Sequence, residues 1–154
     1  MTSAQHGTQH EAQQDTQHNS QAGTSTARLA ALRGNCMGAA VLLIAEFGIG
    51  IAVNLYVTLP AHKSFLSTVF GSATLAAHAI VALALVGAAT SALVRAVRSR
   101  RAIVFTSAGL AAILAAGAAG SSFVNSASSG ASLGMALATA VAMFCYLAAV
   151  FSLR

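Results

Sequence analysis

Four stretches of the chain are apolar over lengths that matter for a bilayer, and polar or basic residues separate them. A helix needs about 20 apolar residues to cross a hydrocarbon core about 30 Å thick. The pattern meets that length at about residues 37–59, 69–94, 102–121 and 132–153. Period-two alternation is absent and alanine dominates, which predicts helices and not strands. A spanning sheet would also need a closed barrel of at least about eight strands. The first stretch is predicted to stop at Pro60, which cannot continue a helix and turns Leu59 away from helical geometry. The fold class that follows is all-α: a four-helix transmembrane bundle.

The polar part lies at the start. Residues 1–27, MTSAQHGTQHEAQQDTQHNSQAGTSTA, contain no Val, Ile, Leu or aromatic residue. With nothing to bury, such a stretch cannot offset the entropy of ordering, so a disordered N-terminal tail is expected. The expected division is a Gln/His-rich tail over 1–34 and a membrane domain over 35–154. The tail does not read as a signal peptide, since no basic segment opens it and no short apolar run follows. RGNC at Arg33 to Cys36 is not a lipoprotein signal, because Asn35 stands where a small residue is wanted.

Composition makes the membrane reading firm. Of 154 residues 56% are hydrophobic and 7% charged, with a mean hydropathy of +0.74. A soluble domain carries about a quarter charged residues, and this chain cannot cover an apolar core with so few. The length allows one domain. The net charge of +5 has its basic residues at the ends of apolar stretches, which is an orientation signal and not a nucleic-acid footprint. Arg28 and Arg33 precede the first span, Arg95, Arg98, Arg100 and Arg101 lie between the second and third, and Arg154 ends the chain. The other two connections hold only Lys63. Both termini are therefore expected in the cytoplasm of a bacterial cell, with the connections near His62 and Asn125 outside.

In lipid, apolar surfaces gain little by meeting, so close backbone contact matters more. Ala108, Ala112, Ala116 and Gly120 on the third span, and Gly134, Ala138 and Ala142 on the fourth, recur every four residues. Such small-residue stripes are the expected interface between these two spans, although an alanine-rich chain also generates them by chance.

Chemistry at depth is sparse. Glu46 lies in LLIAEFGIGIAVNLYV, and an ionised carboxylate at mid-membrane costs about 3 kcal/mol on insertion scales. It is then neutral, partnered or facing water. Folding the first two spans as an antiparallel hairpin brings Glu46 level with about Val81, one turn from His78, and Asn54 level with Ala73 and Thr74. The expected arrangement is one intramembrane polar seam of Glu46, Asn54, Thr74 and His78, with Gly48 and Gly50 allowing close approach. Three readings stay open. The seam fixes which helices pair; it carries a proton, a cation or a polar substrate; or His78, with Met143 as its counterpart, ligates a haem b.

Other candidates are weaker. His6, His10 and His18, with Glu11 and Asp15, suit either loose binding of Ni²⁺, Cu²⁺ or Zn²⁺ or a plain solvated leader, and no metal site is expected. Cys36 reads as a reduced thiol at the cytoplasmic interface and Cys145 as a small packing residue, not as a disulfide. No phosphate loop, His-Glu-x-x-His motif or nucleophile set is present, and two of the three acidic residues lie in the tail. A non-enzymatic protein without a cofactor is expected.

NLYVTLPAHKS (Asn54 to Ser64), AAHAIVALAL (Ala76 to Leu85), GSSFVNSASS (Gly120 to Ser129) and AMFCYLAAVF resemble a functionally uncharacterised family of small four-span bacterial membrane proteins, mainly actinobacterial. The resemblance covers about residues 38–153 and implies a multi-pass membrane protein with no catalytic residues to carry over. It draws notice to Asn54, Pro60 and His78. The combined expectation is a transport-related or accessory subunit of the plasma membrane. Its company is the lipid bilayer and a second copy or a larger membrane complex, with no nucleic acid; a haem-b electron-transfer protein is the alternative.

Overall fold

The computed structural model describes residues 4–56, 65–126 and 128–154, with side chains from Gly23 onward except Ser25, Phe65, Leu66, Thr68 and Ser126. Five helices follow in order: α1 (Ala4–Tyr56), α2 (Phe65–Phe70), α3 (Ala73–Ser99), α4 (Ile103–Ser126) and α5 (Ser129–Ser152). No strand occurs among the described residues. The four long helices are each long and apolar enough to cross a membrane, α1 from Thr26 onward. The polar leader, for which disorder is the expectation, follows the same helical path back to Ala4. The stop expected at Pro60 lies outside the described residues, and α1 is described to Tyr56.

The second span differs from its expected bounds at both ends. It begins at Ala73, and Phe65–Phe70 forms a separate short helix. Gly71 closes that helix with its N–H on the Ser67 carbonyl, and Ser72 turns extended, at φ −128° and ψ 123°, to start the next. Glycine is costly inside a helix and serine is favoured at its start, so the break falls there. At its other end α3 runs on to Ser99, since Arg95 and Arg98 are good helix formers whose heads can reach water.

The long helices pack side by side in the cyclic order α1, α3, α4, α5, with α4 on α5 the most extensive contact. Each turns inward a row whose spacing alternates between three and four residues. On α1 the row is Leu32, Cys36, Ala39, Leu43, Glu46, Gly50 and Val53; on α3 it is Leu75, His78, Ala82, Leu85, Ala89, Ala92 and Ala96. Thr106, Gly109, Ile113, Ala116 and Gly120 supply it on α4, and Thr139, Ala142, Tyr146 and Ala149 on α5. That alternation is the seam of left-handed helix packing. The inner rows are mostly small, while Val41, Ile44, Leu83, Leu137 and Phe144 stand exposed outside. Such a distribution suits a bundle whose solvent is lipid.

The third and fourth spans do pair, as expected, with one position of the expected stripes turned outward. Ala108 is exposed, and the buried row passes through its neighbour Gly109. A Cβ at Gly109 would fall 2.7 Å from Cε2 of Tyr146, so only glycine admits that ring. Eleven residues further along, a Cβ at Gly120 would lie 3.3 Å from Sδ of Met135, itself eleven residues back from Tyr146. The matched advance is that of two antiparallel helices in constant register. Of the expected stripes, Ala112, Ala116, Gly120, Gly134, Ala138 and Ala142 are half-buried or buried.

Candidate functional site

The candidate site grows from two facing rows. Glu46 holds an inner position of α1 and His78 an inner position of α3, and packing of these helices sets Glu46 Oε1 3.1 Å from His78 Nδ1. The approach is close but not aligned as a hydrogen bond. Glu46 is 8% exposed as a residue, and its Oε2 is buried with no hydrogen-bond partner. His78 is half-buried. Gly50, one turn beyond Glu46, makes room for the imidazole: a Cβ there would lie 3.4 Å from His78 Cε1. Gly48, the other glycine expected to ease the approach, faces open space.

Two members of the expected seam are elsewhere. Asn54 and Thr74 are exposed, each one residue away from an inner position held by Val53 and Leu75. One residue turns a helix by about 100°, enough to carry a side chain from the interface to the surface. The single four-residue seam is thereby corrected to one pair, Glu46 with His78. Val53, Val69 and Leu75 form a small apolar cluster that closes the bundle next to it.

A second polar contact between the same helices was not foreseen. Asn35 Nδ2 donates to Ser91 Oγ at 3.0 Å. Eleven residues separate Asn35 from Glu46 and thirteen separate His78 from Ser91, so both contacts fit one antiparallel register. Asn35 just before the first expected span and Ser91 near the end of the second, both at the open end of the expected hairpin, were the available signal.

Sequence reasoning also missed Tyr146. It is fully buried in the main cluster with Leu32, Cys36, Leu43 and Ala142, and its hydroxyl has no hydrogen-bond partner. Cys36 is fully buried there too, facing the bundle four residues after Leu32 in the inner row of α1. Cys145 is buried, in keeping with a packing residue, and both cysteines are free. Thr106 and Thr139 are buried as well, Thr106 donating its hydroxyl to the Ala102 and Ile103 carbonyls at the start of α4 and Thr139 to the Met135 carbonyl of α5. A threonine that satisfies itself in this way is tolerated at depth without marking a site.

His78 turns toward Glu46, whereas Met143 packs against the main cluster. No group of three or more His, Cys, Asp or Glu residues that would hold a metal ion occurs among the described residues. The side chains of His6, His10 and His18 and the whole of His62 lie outside the described part.

These features define a four-helix transmembrane bundle with one buried acid–imidazole pair. No family model, no curated protein and no solved structure matches the chain. Its chemistry is read from its own residues. With one proton between them, carboxyl and imidazole carry no net charge whether written as acid and neutral ring or as carboxylate and imidazolium. Such a pair can stand in lipid, and a proton can pass between its two groups with no net charge; taking up a second proton leaves the pair at +1 and losing its proton leaves it at −1.

Proposed function

We propose that the chain is a non-enzymatic, transport-related or accessory subunit of the bacterial plasma membrane, and that Glu46 and His78 accept and return a proton within it. The observation that carries this reading is the 3.1 Å contact in a buried place, with the second carboxylate oxygen left without a hydrogen-bond partner. An intramembrane ionisable group is costly and marks a functional site by default. A contact serving helix pairing alone is equally met by two neutral polar groups, as Asn35 and Ser91 do between the same helices.

Orientation belongs to the proposal. Seven arginines stand on one side of the four spans against Lys63 on the other, so both termini face the cytoplasm. Reporter fusions at the N-terminus, within residues 97–101 and after Arg154 are expected to read cytoplasmic, and one at Ser128 outside. An outside signal at Arg100 refutes the orientation.

The proton reading is tested in liposomes loaded with a pH-sensitive dye. Wild-type protein should relax an imposed pH difference faster than empty liposomes, Glu46→Gln should abolish the gain, and Asn54→Ala should keep it. Wild-type liposomes no faster than empty ones would leave the pair a helix-pairing device in an accessory subunit. A Soret band in purified protein would replace this reading with the haem-b alternative.

A further inference from the structure

We propose that the arginine rim at one end of the bundle binds the headgroup phosphates of anionic phospholipids. The fold gathers this rim from separate parts of the chain. Leu32, Ala96 and Val150 share the main buried cluster, and Ala102 and Leu153 pack against it. Arg33 adjoins Leu32, Arg95 and Arg98 flank Ala96, Arg101 precedes Ala102 and Arg154 follows Leu153. The ends of four spans thus bring these arginines together at one end of the bundle, with Arg28 one turn before Leu32 and Arg100 and Arg101 in the connection between α3 and α4. All seven are exposed.

No acidic side chain among the described residues pairs with them. The one ion pair among the described residues is that of Glu46 with His78, and Arg154 instead lies 4.4 Å over the Phe151 ring. Orientation alone requires a count of positive charges on one side; it requires neither guanidinium groups nor their concentration in a tight turn. Here arginine outnumbers lysine seven to one. The connection from α3 to α4 takes left-handed backbone at Arg100, φ 51°, and Ala102, φ 55°, which non-glycine residues avoid. Arg100 and Arg101 are pinned there by N–H bonds to carbonyls at the end of α3. Strained backbone persists where the surroundings impose it and gathers at functional places. Its effect is to set Arg100 and Arg101 in the turn directly after Arg95 and Arg98, at one end of the bundle. Guanidinium forks match phosphate oxygens two at a time, and basic side chains at a membrane surface attract anionic lipid.

The test follows thermal unfolding of the purified full chain in phosphatidylcholine micelles. Added phosphatidylglycerol is expected to raise the midpoint, while more phosphatidylcholine and inorganic phosphate leave it unchanged. Arg98→Gln with Arg101→Gln should lose most of the rise, and Lys63→Gln should keep it. A rise that the double variant retains, or that phosphatidylcholine matches, overturns the proposal; one reproduced by inorganic phosphate assigns the rim to the free anion, and one reproduced by a short RNA to any polyanion. If the glutamine pair fails to insert, Arg98→Lys with Arg101→Lys keeps the orientation charge and should still lose part of the rise. A rise equal to wild type in that variant removes the guanidinium from the argument.

Discussion

The α1–α3 pair and the α4–α5 pair solve the same problem by different means. Both are antiparallel, and both keep register across about three helical turns. Two polar contacts, Asn35 to Ser91 and Glu46 to His78, tie α1 to α3. Between α4 and α5 a large ring enters a glycine notch, Tyr146 against Gly109, and small residues continue the contact to Gly120 and Met135. The first pair penalises a wrong partner through unmatched polar groups. The second penalises it through shape, because dispersion fades quickly as a gap opens. In lipid, where apolar surfaces have no reason to prefer one another, each method supplies the selectivity that burial supplies in water.

The largest expected effect falls on the shape-held pair. Tyr146→Ala should cost about 3–5 kcal/mol, as for other buried aromatic truncations, read from unfolding in mixed micelles. Tyr146→Phe should be neutral or slightly stabilising, because the lost hydroxyl has no hydrogen-bond partner. A large loss from the phenylalanine variant would reveal a polar role for the ring and erase the contrast between the pairs.

Next comes Glu46→Lys, which places a cation beside His78 at a cost of about 3 kcal/mol on insertion scales. Glu46→Gln should insert and fold normally, since an amide keeps the polar contact without a charge. Equal damage from both would mean that the carboxylate itself holds α1 to α3.

Gly109→Ala should destabilise by about 1–3 kcal/mol through overpacking against Tyr146. Gly117→Ala, in the same helix with nothing within 4 Å of its Cβ position, should not. Comparable effects at the two glycines would show that helix propensity, and not the notch, governs the contact.

The smallest effects sharpen the polar side. In a cycle of Glu46→Gln with His78→Ala, the coupling should be about 0.6 kcal/mol, the average for polar contacts between membrane helices. Asn54→Ala and Thr74→Ala should leave unfolding unchanged within error. Additivity of Glu46 with His78, or coupling of either to Asn54, would restore the question of where the seam runs.

Three misplacements share one cause. Thr74 was expected inside and Leu75 took the position; Asn54 likewise gave way to Val53, and Ala108 to Gly109. Each is a rotation of one residue. A soluble helix announces its buried face by being polar on the other, but these helices are apolar all round and announce none. What the chain did declare was the number of spans, through runs of apolar residues with arginines at one end of each, and the pairing of its first two spans, through one acid and one histidine too costly to leave alone. The antiparallel level of Glu46 with His78 followed from the short connection between them. Rotation about each helix axis was left to the assembled bundle, where Tyr146 needs the notch that Gly109 on another helix supplies, and where Cys36 is drawn inward with its row. Those choices depend on which surfaces fit at van der Waals distance, a property of two helices together that neither carries in its own sequence.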